Sequence, residues 1–148
     1  MTFLEAIDKD LIKVPMTARN GKEAVEELVG LYAAKMGLQP SESEGILSSI
    51  MERESLGSTA MENGIAIPHA KISGLKNPAV MIGVSRIGID FGGKQPSSIF
   101  FLVLAPSENP AEHIQILSSI AKVCSSDLFV RMLRSSKTKD DVYQLFFD

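Results

Sequence analysis

The run Ser98-Ile-Phe-Phe-Leu-Val-Leu-Ala105 limits the possible folds more than any other stretch. It is apolar at odd and even positions alike, so a strand here is buried on both faces. Such a strand lies inside a sheet that carries helices on each side. Shorter apolar runs at Ile65–Ile67 and Ala79–Val84 supply its neighbours. Turn residues separate them: Gly74, Asn77 and Pro78, then Gly88, Asp90, Gly92 and Gly93, then Gln95 and Pro96. From Gly57 to Pro106 helical periodicity is missing, so the middle third of the chain is the sheet.

Helices precede and follow it. Phe3 to Val14 reads as a short helix or turn leading into a short strand. Asn20 caps a helix to Met36 with Glu23 at its third position, and Gly37 ends it as a left-handed cap. Beyond Pro40, Ser41 and Glu44 form a capping box for a second helix, with Ile46, Leu47, Ile50 and Met51 on its apolar face and Arg53 and Glu54 in its last turn. Asn109, Pro110 and Glu112 restart the helical pattern, which runs to about Cys124 with Ile114, Leu117, Ile120, Ala121 and Cys124 inward. Two more helices follow Ser126 and Thr138, the last boxed by Asp141. Helices, sheet and helices in this order predict one α/β domain over residues 1–148.

Charge and motifs remove several classes of function. A net charge of −3 with no basic block argues against nucleic acid. One cysteine, Cys124, cannot form an internal disulfide and fits a reducing cytosol. The start MTFLEAIDKD lacks the basic and apolar regions of a signal peptide. No apolar stretch approaches the roughly 20 residues that span a bilayer, so a cytoplasmic protein without membrane insertion is expected. The chain has two histidines and no HExxH, CxxC, P-loop, GxGxxG or GxSxG pattern, so neither metal nor cofactor is expected.

The first histidine ends the stretch Gly64-Ile-Ala-Ile-Pro-His69-Ala-Lys71. A run that stops at proline reads as a short buried strand ending at His69. Taken alone, an imidazole there serves structure as readily as chemistry. Ser58 and Thr59 suggest a nucleophile–base pair with it, yet no acidic residue is spaced to orient the ring. Residues 57–107 hold Lys71, Lys76, Arg86 and Lys94 against Glu62 and Asp90, while the acidic excess lies elsewhere. That bias suits a site that meets an anion, and suits solvated surface charge equally.

Four features coincide: Arg53–Glu54, then Gly57–Ser58–Thr59, then the glycine-led run to Pro68–His69, then an apolar strand ending at Leu104–Ala105–Pro106 with His113 in the following helix. This combination resembles the type 2 EIIA domain (fructose/mannitol class) of the bacterial phosphoenolpyruvate-dependent sugar phosphotransferase system, including its nitrogen-regulatory branch. The resemblance runs from the first helix to Phe146. It implies a mixed β-sheet of about five strands flanked by helices, and a phosphotransferase component with a phosphohistidine intermediate. By position, His69 corresponds to the phosphorylated histidine, Arg53 to the active-site arginine and His113 to the second histidine. The implied partners are an HPr-type phosphocarrier as donor and an EIIB domain as acceptor. In the nitrogen branch, the phosphorylation state instead controls binding to regulatory target proteins. One departure is Gly92–Ser98, where the family's acidic residue and valine around the proline are absent; it bears on loop conformation and partner preference.

Physical chemistry gives each residue a role that can be checked. A histidine nucleophile needs an unprotonated ring nitrogen, and a backbone carbonyl on the other nitrogen would set the tautomer. A planar guanidinium can fork onto two phosphoryl oxygens; otherwise Arg53 is a surface arginine paired with a carboxylate. At a helix start, the dipole favours a neutral His113 that donates a hydrogen bond; otherwise it is an ordinary buried histidine. The hydroxyls of Ser58 and Thr59 would donate to the phosphoryl group or stabilise a turn.

Overall fold

The structure, a computed structural model, describes residues 1–147. Its organising element is β5, Ser97–Pro106, which is buried along nearly its whole length. β4 (Ala79–Ile89) pairs antiparallel to it, with Met81 opposite Leu102. β1 (Ile7–Lys13) lies parallel on the far side of β4. On the other flank of β5, β2 (Ile65–Ala66) and β3 (His69–Ile72) follow one another in parallel pairing. The result is a mixed five-stranded open sheet, as the resemblance implies.

Alternation along β5 divides the core in two. Phe100, Leu102 and Leu104 pack with α2 (Gly21–Met36) and α3 (Pro40–Ser55). Ile99, Phe101 and Val103 pack on the opposite face with α1 (Phe3–Ala6), α4 (Pro110–Val123), α5 (Asp127–Ser135) and α6 (Lys139–Phe147). Phe101 sits at the centre of the second cluster, edge-on to Phe3 at 6.3 Å and to Phe146 at 6.5 Å. The polar ends behave as the capping residues predict. Asn20 accepts from the Glu23 N–H, Ser126 from the Phe129 N–H and Thr138 from the Asp141 N–H. Gly37 adopts φ 65°, the left-handed conformation that ends α2.

Three expectations are corrected. The strand does not end at His69; it breaks at Ile67–Pro68 and resumes as β3 through Ile72. Ile65 pairs with Ile99 and His69 with Val103 at the same offset, so the proline interrupts the ladder without shifting its register. Pro68 has no N–H to donate, but its carbonyl still accepts from the Val103 N–H at 2.9 Å, which keeps this point of the strand tied to β5. Second, α3 begins at Pro40 with Gln39 as cap, not at Ser41: the Gln39 N–H donates to Glu42 at 2.9 Å instead of a Ser41–Glu44 pair forming. Proline at the first helical position loses nothing by lacking a donor. Third, the inward stripe of α4 is His113, Ile116 and Ile120, continued by Cys124, while Ala121 is exposed and Ile114 is 63% exposed. Assigning His113 to the polar face rotates the predicted stripe by about one residue.

Replacing Phe101 by alanine removes a fully buried ring from the second cluster. Chemical denaturation should show a loss of about 3–5 kcal/mol, whereas Leu128→Ala, at a position 61% exposed, should stay within about 0.5 kcal/mol of the parent.

Candidate functional site

His69 opens β3, held in register against Val103 on the central strand. Its Nδ1 lies 2.7 Å from the Ile67 carbonyl oxygen. A carbonyl only accepts, so Nδ1 carries a proton, and in the neutral ring Nε2 is the nitrogen with the lone pair. Among the described residues Nε2 has no hydrogen-bond partner, and it is not sealed from solvent. Residues of even number on this strand line, such as Ala66 and Ala70, belong to the α2–α3 face, and odd ones such as Ile67 to the α4 face. His69 therefore shares the side of the sheet on which α4 lies.

There it meets His113. The two ring centroids are 5.3 Å apart at an angle of 52°. His113 is only 5% exposed, and its Nδ1 has no hydrogen-bond partner among the described residues. Burial pushes its pKa down from the ordinary 6.5 to about 4, helped by repulsion from the His69 ring and from Lys71. The ring is therefore neutral at pH 7 and has one N–H to donate. Of the two alternatives weighed for it, the structure shows the buried histidine, and it lies beside His69.

Arg53 approaches from α3, on the other side of the sheet edge. Its guanidinium donates to the Gly57 carbonyl at 3.0 Å, across the end of its own helix. Among the described residues it forms no ion pair. The surface pairing with a carboxylate is thus not what occurs, and four further N–H donors remain. Arg53, His69 and His113 line one open cavity of about 540 Å³, with Ser49, Glu52, Leu56, Ala70, Lys71 and Leu117.

Ser58 and Thr59 lie outside that wall. The Ser58 hydroxyl donates to the Phe91 carbonyl at 2.6 Å, and the Thr59 hydroxyl donates to Glu54 at 2.8 Å. Both hold the loop after α3, the turn-stabilising alternative. Lys71 is the residue that sequence reading passed over. It stands two positions beyond His69 on β3 and so on the same side of the strand; a strand assumed to stop at His69 hides it. Among the described residues no cluster of His, Cys, Asp and Glu could hold a metal ion, and no helix is long and apolar enough to cross a membrane.

The model of the family described as phosphoenolpyruvate-dependent sugar phosphotransferase system, EIIA 2, matches residues 5–148. The chain belongs to this family. It is 29% identical over 96% of its length to the nitrogen regulatory protein of Escherichia coli, covering 87% of that protein. The mannitol-specific phosphotransferase enzyme IIA component of Bacillus subtilis is 30% identical, with 97% of each chain covered. The crystal structure of nitrogen regulatory protein IIA-Ntr from Neisseria meningitidis superposes with a TM-score of 0.86 at 25% identity, covering 97% of both chains. This EIIA 2 chain thus has relatives in both the sugar-transport and the nitrogen-regulatory branches.

The depressed pKa of His113 has a measurable consequence. Between pH about 6.5 and about 4 the unfolded chain binds a proton that the folded chain refuses, so stability is intact above this window and falls as pH drops through it. His113→Gln, neutral throughout, should show a shallower decline in melting temperature from pH 7 to 5 than the parent protein. Equal slopes would contradict a buried neutral ring.

Proposed function

We propose that this EIIA 2 chain is a phosphoryl carrier that takes the phosphoryl group from an HPr-type phosphocarrier onto His69 Nε2 and passes it to an EIIB domain. The observation that carries the reading is the Nδ1 contact to the Ile67 carbonyl, which leaves Nε2 as the free nitrogen in a cavity shared with Arg53. The Nε2 lone pair attacks phosphorus, the N–P bond of the donor breaks, and the donor's ring nitrogen leaves with the electron pair. As the N–P bond forms, positive charge grows on the His69 ring, and the hydrogen bond from Nδ1–H to Ile67 strengthens with it. The phosphoryl oxygens carry the opposing charge. Arg53 faces them with its remaining donors, Lys71 adds a second cation, and neutral His113 donates without competing for the group. The reverse sequence, with the acceptor's nucleophile attacking, hands the group on.

An exposed apolar side chain stands at the opening: Leu56 lines the cavity and is 82% exposed. An open, shallow cavity with such a side chain at its mouth supports docking of two protein partners in turn, over the modest areas of transient encounters. A second reading, that the phosphorylation state of His69 controls binding to regulatory target proteins, is favoured by the likeness to the E. coli nitrogen regulatory protein. Passage of label from the phosphorylated chain to an EIIB domain supports transport; retention of the label, with capture of targets by one phosphorylation state, supports regulation.

His69→Ala should accept no radiolabelled phosphate from a phosphorylated HPr-type carrier; labelling at the parental rate would overturn the assignment. Arg53→Lys keeps a charge but loses the planar fork. Its transfer rate should drop on the order of 10²-fold with the KM for the phosphocarrier little changed, measured by single-turnover transfer.

A further inference from the structure

We propose that Glu54, which does not line the cavity, is a positioning residue whose carboxylate aims His69. This inference rests on the reading of His69 as the phosphoryl acceptor. The Glu54 carboxylate accepts twice from one residue: from the Thr59 N–H at 2.7 Å and from the Thr59 hydroxyl at 2.8 Å. Its own backbone carbonyl accepts from the Gly57 N–H at 3.1 Å. These bonds close the turn from α3 into the sheet. A charged acceptor makes them shorter and stronger than neutral ones.

Two carbonyls leave this turn, and each ends at a functional side chain. The Gly57 carbonyl accepts from the Arg53 guanidinium at 3.0 Å. The Thr59 carbonyl accepts from the Ile67 N–H at 3.3 Å, and the Ile67 carbonyl in turn accepts from His69 Nδ1 at 2.7 Å. The chain of contacts is thus Glu54, Thr59, Ile67, His69, with a side branch through Gly57 to Arg53. Thr59 and Ile67 are each held through both their N–H and their carbonyl, so a displacement at one end of the chain of contacts passes to the other through the backbone. Pro68 removes the N–H that a strand residue would ordinarily offer at this point, and Ile67 is the last peptide before the ring with both groups engaged. Loosening Thr59 loosens the carbonyl that holds the His69 tautomer.

The turn has a second anchorage that does not involve Glu54. Ser58 donates to the Phe91 carbonyl at 2.6 Å and accepts from the Ala60 N–H at 3.0 Å. Gly92, at φ 88°, brings its backbone so close that a Cβ there would stand 3.0 Å from Ser58 Cβ. Losing the Glu54 clamp should therefore leave the fold in place while the aim is lost.

The test uses the full chain with Glu54→Ala, Glu54→Gln, Thr59→Val and Thr59→Ser. Nitrogen NMR of the His69 ring should show the Nδ1–H tautomer in the parent and in Thr59→Ser. It should show a mixture of tautomers in Glu54→Ala and Thr59→Val, with Glu54→Gln between. Single-turnover transfer should slow in the same order, by a factor on the order of 10 to 100 in Glu54→Ala, with the KM for the phosphocarrier nearly unchanged. A parental tautomer in both disabling variants overturns the proposal, whether or not the rate falls. Should Glu54→Ala fail to give a dispersed spectrum, the near-isosteric pair Thr59→Val and Thr59→Ser decides. The tautomer readout stands apart from phosphoryl transfer: labelling of His69→Ala would overturn the carrier assignment while leaving the clamp measurable.

Discussion

The site depends on the pairing of β3 with β5. Val103 lies at the middle of a strand buried on both faces, and its N–H reaches the Pro68 carbonyl while its position pairs with His69. A central strand cannot slide by one residue without turning its whole apolar set to the wrong face. That rigidity passes to His69, whose ring then takes its tautomer from a carbonyl only two residues away. The proline between them removes a donor that would face β5, while its carbonyl keeps the bond to Val103.

Charge in the site follows from which side of the sheet each element covers. α3 and α4 pack on opposite faces, and their ends meet only around the edge formed by β2 and β3. Arg53 and His113 therefore converge on His69 from two directions without touching the same layer of core. Arg53 remains half-exposed and charged, held by a carbonyl that leaves its charge intact. His113 is buried and neutral, because desolvation and the repulsion of neighbouring positive groups both oppose protonation. The cavity thus combines cations at the mouth with a neutral donor inside, an arrangement suited to a transferring phosphoryl group that must also leave again.

Much of this was legible before any coordinates. The double-faced run at Ser98–Ala105 is the central strand, and the caps at Asn20, Asn109, Ser126 and Thr138 stand where local hydrogen bonding places them. Those features are short-range, so residue type and spacing settle them. The start of α3 was misread because two overlapping box patterns, Gln39–Glu42 and Ser41–Glu44, compete within one turn, and Pro40 favours the earlier. The face of α4 was misread because a polar His113 was not counted among inward residues, although it completes the stripe with Ile116 and Ile120. Ser58 and Thr59 were given two possible roles, and their hydrogen bonds to Phe91 and Glu54 match the turn-stabilising one.

By itself the sequence determined the layers, the central strand and the family, and it pointed to the three residues proposed as catalytic. It could do so because alternation, capping and motif spacing are properties of neighbouring residues. Only the tertiary structure decided that the strand continues past Pro68, that Lys71 joins the wall, and that His113 is stripped of water against His69. The reason is physical: a ring's charge state and a guanidinium's partner depend on what surrounds them. Those surroundings come from elements far apart in the chain, brought together by the packing of α3 and α4 around one edge of the sheet.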